Sequence, residues 1–486
     1  MARGGILPLR VLRAPKGHHP WTGPGAVPRR SASRRGLDRG GPRLRVAFLT
    51  FGCKVNQYES EAMAQALERA GWELATVEEA DLIVINTCVV TAKAEAEARK
   101  ALRRAKRTGA KVVVAGCWPQ LDPQGPLQLG ADGALGNEEK AEIVAVVERV
   151  LQGEQVLQVG DISEAEGFPF LPLDRPRFRT RALLKIQEGC DARCAYCVVP
   201  LVRGRPRSLP LEEVLRALQG LAREGIKEVV LTGVHLGRWG KDLRPPLDLV
   251  ELLRRIETAE TPPRIRLSSV EPQEISQELI ALLASSEKLC PHLHVPLQSG
   301  SERVLKAMGR PYTPSQFRDL IHRIVGQLPG VAVGTDLIVG FPSEDEEAFS
   351  ETYRLVEALP LAYLHVFPFS VRPGTEAAGL PGRVDERLKR QRVRALRELG
   401  QRKRREFYSR FLGERLSVLV EGKEEGGLLT GLSRNYLRCL IAGAKGMVGE
   451  EVEVEVKGLQ GERALCEALS YESRSPTPSK AGTKRV

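Results

Sequence analysis

The stretch Gly189-Cys190-Asp191-Ala192-Arg193-Cys194-Ala195-Tyr196-Cys197-Val198 decides the fold. Its three thiols, Cys190, Cys194 and Cys197, stand at a C-x3-C-x2-C spacing directly after a strand-like run, RALLKIQ at 181–187. Three close thiolates suit a cubane iron–sulfur cluster, whose irons want four ligands between them. The fourth is missing, which leaves one iron open to another molecule. The competing reading is structural zinc. Zinc wants a fourth protein ligand, usually from a second paired motif, and none stands nearby.

Outward from this loop, strand patterns recur at 181–187, 228–233, 264–269, 292–297, 331–338 and 362–367. Helical patterns fill the gaps near 211–223, 247–257, 274–285, 301–308, 315–327 and 344–358. Six βα units predict a partial (β/α)6 barrel of the TIM type, which builds its active site on the loops after its strands. The cysteine loop follows the first strand, on the correct face.

Upstream, residues 44–155 alternate short apolar strands (45–50, 81–86, 111–115) with amphipathic helices near 58–71, 92–107 and 138–152. This predicts an N-terminal open α/β domain. Each strand runs into a loop with a cysteine: Cys53, Cys88 and Cys117. In a parallel sheet those loops share the carboxyl edge, where such folds place ligands. Convergence there predicts a second metal site; the bland alternative is three separately buried thiols. Cys290, Cys439 and Cys466 match no ligand pattern, and His235 and His294 fit structural roles better than metal ligation.

The rest of the chain divides by texture. Residues 1–43 carry ten Lys/Arg against one acid, Asp38, and so hold +9 of the chain's +12; they are expected to be a disordered basic extension, a targeting segment or a misassigned start. Residues 156–180 are a proline-rich linker, and 181–410 end in a long basic helix. Arg383 to Glu406 holds eleven Lys/Arg against four acids, either a solvated face or a surface for a polyanion. Residues 411–472 show alternating strands with Gly-rich turns and predict a small β-barrel; 473–486 are a polar tail. No apolar run approaches the roughly 20 residues that span a membrane. Nine cysteines, six of them in two triplets, fit thiolates in a reducing compartment better than disulfides.

Together these features resemble the methylthiotransferase family of radical S-adenosylmethionine enzymes over about residues 44–470. The runs GCKVNQYES (52–60), NTCVVTAKAE (86–95) and GCDARCAYCVVPLVRGRPRS (189–208) carry the likeness. They are most similar to the MtaB branch, which modifies N6-threonylcarbamoyladenosine in tRNA. The branches acting on isopentenyladenosine in tRNA or on a ribosomal protein usually differ after the first cysteine. The resemblance implies an auxiliary 4Fe–4S cluster on Cys53, Cys88 and Cys117, a radical 4Fe–4S cluster on Cys190, Cys194 and Cys197, and a terminal barrel of the TRAM type.

It further implies that one electron cleaves S-adenosylmethionine to a 5′-deoxyadenosyl radical. That radical takes the hydrogen at adenine carbon 2, and sulfur at the auxiliary cluster, methylated by a second cofactor molecule, completes the group. No catalytic side chain beyond the cluster ligands is expected. The same likeness assigns cofactor contacts to Tyr196, Thr232, Gly233, His235, Ser269, Glu271, Gln298 and Asp336. Ser268, Ser299, Gly334, Gly340 and Pro342 lie in the same loops, although the glycines could simply be turn formers. Because 411–472 carries a net −4, RNA contact there would need a patch such as Arg434, Asn435, Tyr436 and Arg438. The implied partners are tRNA, a reducing electron donor and a sulfur donor, with no membrane, in the cytoplasm.

Overall fold

The structure, a computed structural model, describes residues 43–469. The basic extension (save Arg43) and the polar tail lie outside the described residues.

The N-terminal part runs β1 (Arg45–Thr50), α1 (Lys54–Arg69), β2 (Glu73–Leu74), β3 (Leu82–Thr87), α2 (Ala92–Lys106) and β4 (Lys111–Gly116). It continues through α3 (Cys117–Leu121), α4 (Gly125–Gln128), β5 (Gly133–Leu135), α5 (Ile143–Leu151) and β6 (Val156–Gln158). Its six strands form one parallel sheet in the order β2-β1-β3-β4-β5-β6. Continuous Val/Ile runs build such a sheet because helices cover both faces; all six residues of β3 are buried. The short β2, β5 and β6 carry too few residues for a periodic signal. Helix α1 begins at Lys54, not 58, so Cys53 is its N-cap residue. The expected linker 156–180 starts as β6 and then lies along α1. There Leu171 O accepts from Tyr58 at 2.5 Å, and Leu171 and Leu173 enter the core.

The barrel comprises β7 (Ala182–Glu188), α6 (Val199–Arg203), β8 (Arg207–Ser208), α7 (Leu211–Arg223), β9 (Glu228–Gly233), α8 (Leu249–Thr258), β10 (Arg264–Leu267), α9 (Gln277–Ser285) and β11 (His292–His294). It closes with α10 (Glu302–Ala307), α11 (Pro314–Gln327), β12 (Ala332–Val339), α12 (Glu346–Ala358) and β13 (Tyr363–Pro368). Two sheets, β10-β9-β7-β8 and β11-β12-β13, are joined by parallel bridges Ile265–Leu289 and Ser269–His294. The third and fourth strands end earlier than the pattern predicts, the fourth just ahead of Pro296, which has no N–H for a ladder. Helix starts are chemically marked: Thr313 and Gln316 form a capping box with Pro314 at the first turn of α11.

Helix α13 (Glu386–Ser409) leads into β14 (Arg415–Glu425), β15 (Leu428–Ser433), β16 (Arg438–Ala442), β17 (Glu451–Gln460) and β18 (Arg463–Ala468). These five strands close into a barrel in the order β14-β15-β16-β18-β17. One hydrophobic core runs from Val46 of the first sheet and Tyr58 of α1 into Leu184, Leu231 and Leu337 of the radical barrel. The two units are therefore packed together, with α1 between them.

Candidate active site

The three N-terminal thiols meet at the carboxyl edge of the first sheet. Cys53 precedes α1, Cys88 follows β3 and Cys117 follows β4. Gly52 makes the approach possible: its φ is +109°, and a Cβ there would sit 2.5 Å from Cys88 Cβ. Cys53 is exposed, while Cys88 and Cys117 are buried. Burial, together with the neighbouring thiols of Cys117 and Cys53, pushes Cys88 up to about 12. Without a metal that thiol stays protonated; a metal would displace the proton. Asn137 Nδ2 lies 3.7 Å from Cys117 Sγ and Cys53 Sγ 3.5 Å from Asn56 Oδ1.

The second triplet lies on the loop after β7. Gly189, at φ +73°, lets the loop pass within van der Waals reach of Arg205 O, and Cys190 N donates to Gly204 O at 2.9 Å. The loop is pinned again where Ala195 N donates to Met308 O at 3.0 Å. All three cysteines border an open cleft of about 430 Å³. Burial pushes Cys197 up to about 12, with the Cys194 and Cys190 thiols adding to it. His235 Nδ1 is 3.3 Å from Cys190 Sγ, and Arg310 Nη1 donates to Cys194 Sγ at 3.2 Å. Burial opposes charge on His235, but the Cys190 thiol on one side and Glu274 on the other, 2.8 Å from Nε2, hold the imidazole protonated up to about 10.

Each donor set fits a cubane better than a single ion. Tetrahedral zinc gathers thiolates to about 3.8 Å from one another, given Zn–S near 2.3 Å. Among the described residues the set with three ligand atoms within 4.8 Å is His294, Asp336 and His365; neither thiol triplet is that tight.

A buried charge network joins α1, which follows Cys53, to β7 and α6, which flank the second triplet in sequence. Arg203 Nη1 donates to Glu59 Oε1 at 2.7 Å and to Glu188 at 3.1 Å, and its Nη2 donates to Asn56 Oδ1 at 2.6 Å. Lys185 donates to Glu188 at 2.9 Å and Glu59 at 3.2 Å, and Lys140 pairs with Glu59. Burial opposes every one of these charges. Arg203, Lys140 and Lys185 nonetheless hold Glu59 well below the usual carboxylate range, and Glu188 and Glu59 hold Arg203 well above its own. Three cations face two carboxylates, and the surplus positive charge lies beside the first thiol triplet. Glu59 and Arg203 lie within the runs that carry the family likeness, but the likeness assigns them no role, and Asn137 and Arg310 lie outside those runs; a charge inside an apolar run, as Lys185 in ALLKIQE, is one sequence signal of such a network.

The other expected residues ring the same barrel mouth. Thr232 is buried at the end of β9 beside Gly233, and Gln187 Oε1 accepts from His235 N at 2.7 Å. Ser269 is exposed after β10, and Ser268 Oγ is buried without a partner. Glu271 pairs with Arg310; burial still pushes its carboxyl up. Gln298 holds φ +68°, and its N–H donates to Asp336 O at 2.8 Å. A non-glycine residue in that region stores strain, a feature of ligand sites. Tyr196 packs edge-on against Phe341 at 6.5 Å.

On the inner wall, His292 Nε2 lies 2.8 Å and His294 Nδ1 3.0 Å from Tyr363 Oη. His294 Nε2 and His365 Nδ1 lie 2.9 and 3.2 Å from Asp336 Oδ1. Burial pushes His292 and His294 down and leaves them neutral. Burial also disfavours charge on Asp336, but His294 and His365 hold its carboxyl well below the ordinary range. One proton order satisfies these bonds: His292 N–H to Tyr363, Tyr363 O–H to His294, and both His294 and His365 N–H to Asp336.

Of the expected RNA patch, three residues face the seam between the barrels. Arg434 binds Pro263 O and Glu287 O, Asn435 donates to Gly330 O at 3.2 Å, and Tyr436 stacks 4.1 Å from His292. Arg438 is exposed. The cause is the inner wall itself: Arg266 seeks the carbonyls of Ser433 and Arg434 and draws that turn inward. On α13, Lys389, Arg392 and Lys403 are buried in the fold, while Arg387, Arg390, Arg394 and Arg405 are exposed.

Residues 45–133 match the model of Uncharacterized protein family UPF0004, and residues 184–356 match the Radical SAM superfamily. The chain is 40% identical over 423 residues to the threonylcarbamoyladenosine tRNA methylthiotransferase MtaB of Bacillus subtilis (strain 168), covering 85% of this chain and 93% of the relative. It is 40% identical to the enzyme of the same name from Aquifex aeolicus (strain VF5), covering 85% and 100%. It is 35% identical to a tRNA-2-methylthio-N(6)-dimethylallyladenosine synthase of Pelotomaculum thermopropionicum (strain DSM 13744 / JCM 10971 / SI), covering 85% and 94%. With two thiol triplets on the two matched regions and likeness along nearly the whole length of these relatives, the chain belongs to the radical S-adenosylmethionine tRNA methylthiotransferase family.

Proposed function

We propose that this protein transfers a methylthio group to carbon 2 of N6-threonylcarbamoyladenosine beside the anticodon of tRNA. Two thiol triplets, on elements that one buried charge network ties together, carry the reading, and the relatives of that name support it. An aryl C–H is not acidic, so acid–base side chains could not open it; 4Fe–4S clusters and S-adenosylmethionine, when bound, supply one-electron chemistry and sulfur.

The chain's residues bind, orient and exclude water. Cys190, Cys194 and Cys197 hold the radical cluster, with His235 and Arg310 supplying hydrogen bonds to its thiolates. Cys53, Cys88 and Cys117 hold the auxiliary cluster, and Arg203 supplies positive charge beside them. Thr232, Gly233, Ser269, Glu271, Gln298, Asp336 and Tyr196 line the place of the cofactor. In this reading residues 44–155 insert sulfur, 181–410 generate the radical, and 411–472 form a TRAM-like barrel. Arg387, Arg390, Arg394 and Arg405 on α13 face the RNA backbone.

A reducing electron donor and a sulfur donor complete the reaction, which takes place in the cytoplasm. Mass spectrometry of nucleosides after incubating the reconstituted protein with tRNA tests it. Methylthio-threonylcarbamoyladenosine is the expected product; a methylthio group on isopentenyladenosine alone would move the chain to the other tRNA branch.

A further inference from the structure

The inner wall of the radical barrel is crowded with charge, and nearly all of it is matched. Arg264 and Arg266 share Glu228, Arg181 pairs with Glu228 and Glu421, and Asp336 is shared by two imidazoles. Lys54 is the exception. It follows the thiol Cys53 at the start of α1, which packs against β7 and β9. Its ammonium lies within electrostatic reach of His292, His294 and Tyr436 on the wall. It has no ion-pair or hydrogen-bond partner among the described residues.

On β13, whose His365 ring lies 5.0 Å from that of His294, the wall changes character. Tyr363 is sealed under Tyr436, but His365 and Phe367, on the same strand face, stand 48% and 44% exposed. His365 commits Nδ1 to Asp336, which fixes the ring and leaves Nε2 turned outward as its available nitrogen. The Phe367 ring lies 6.4 Å from it, edge to face. An ammonium with no partner among the described residues, an oriented imidazole and an exposed aromatic ring thus flank one cluster of rings, His292, His294 and Tyr436.

We propose that Lys54 and His365 form the subsite for the carboxylate on the N6 substituent of the substrate adenosine, with Phe367 as the face on which the base stacks. This rests on the function proposed above and names the part of the substrate these residues distinguish. A threonylcarbamoyl group carries a carboxylate and a hydroxyl, matching an ammonium and an imidazole. A dimethylallyl group carries neither, and would leave the half-buried ammonium without a counter-charge. Discrimination is greatest where a polar site rejects an analogue that cannot satisfy it. Purine stacking on an exposed ring is the common way a single base is held outside its helix.

The test compares anticodon stem-loops that carry the threonylcarbamoyl group as free acid and as its methyl ester. Equilibrium binding and turnover are measured with the reconstituted holoprotein, its Lys54→Gln and Lys54→Arg forms, and His365→Gln. The wild type is expected to prefer the acid. Lys54→Gln should reduce that preference roughly tenfold to hundredfold, mainly through KM, and Lys54→Arg should restore most of it.

An acid-to-ester ratio unchanged in Lys54→Gln overturns the subsite. So does loss of S-adenosylmethionine cleavage by dithionite without RNA, which would assign the cation to the carboxylate of the cofactor. Wild-type protein that prefers the acid in binding but never methylthiolates it keeps the subsite and removes the functional reading. The opposite result, turnover of acid and ester alike, keeps the function and removes the subsite.

Discussion

Arg203 donates a 2.7 Å hydrogen bond to Glu59, and so ties the radical loop's own helix α6 to α1, the helix that Cys53 caps. Both side chains are almost fully buried, at 3% and 1% exposure. A buried pair is weak evidence for net stability, because desolvation offsets the attraction. Its geometric consequence is firmer: the pair fixes α1 against β7 and therefore fixes one thiol triplet relative to the other.

Removing the guanidinium should be severe. Arg203→Met leaves Glu59 and Glu188 with only Lys140 and Lys185, and breaking one partner of a buried pair typically destabilises by about 3–5 kcal/mol. Chemical denaturation of the reconstituted protein is expected to show a loss of unfolding free energy of that size, seen as a lower midpoint. A variant as stable as the wild type would show that the two lysines alone neutralise the network.

The two thiol triplets should separate by iron content. Wild-type protein reconstituted without oxygen is expected to hold about eight irons, two cubanes of four. Cys88→Ala should hold about four, still cleave S-adenosylmethionine and give no methylthio product. Cys194→Ala should hold about four and lose the cleavage as well. An unaffected product from Cys88→Ala would refute the auxiliary site.

Gly189 should accept no side chain. At φ +73° an alanine is strained by about 1 kcal/mol or more, and its Cβ would collide with Arg205 O. The loop must then move, so Gly189→Ala is expected to lose the charge-transfer absorbance of the radical cluster while the auxiliary cluster remains. Full absorbance with full iron content would contradict this.

Arg310 should tune the radical cluster through its 3.2 Å hydrogen bond to Cys194 Sγ. Donors to cluster sulfur raise reduction potential by stabilising the added negative charge. Arg310→Gln is therefore expected to shift the couple to more negative potential, on the order of tens of millivolts, in a titration followed by electron paramagnetic resonance. A shift in the positive direction would exclude that role.

Acid should loosen the seam between the two barrels. Burial disfavours charge on Glu228, but Arg266, Arg181 and Arg264 hold its carboxyl down at about 2, against 4.5 for a free glutamate. A depressed carboxylate contributes stability above the unfolded value and loses it as pH falls through the folded one. The loss is expected between pH 4.5 and about 2, on the order of 3 kcal/mol. Glu228→Gln should remove that part of the acid transition, which protease sensitivity across this range would reveal.

The sequence by itself determined the chemistry and the order of the folding units. Cysteine spacing needs no tertiary information, because three residues of one loop are neighbours in any fold. The repeating strand and helix periods are equally local: the strand pattern at 228–233 matches β9 and the helical pattern at 211–223 matches α7. The convergence of Cys53, Cys88 and Cys117 was also legible, since a parallel sheet brings every strand's carboxyl end to one edge.

Only the tertiary structure decided which charges face each other. Glu59, Lys140, Lys185 and Arg203 come from four separate segments, and none of them marks its partner in sequence. Packing α1 on the barrel buries all four at once, and their pairing compensates for the lost water. The same reason redirected Arg434, Asn435 and Tyr436. As a string they look like a basic patch, but Arg266, held by Glu228, donates to the turn, and the carbonyls of Pro263, Glu287 and Gly330 accept from it, which draws it into the seam.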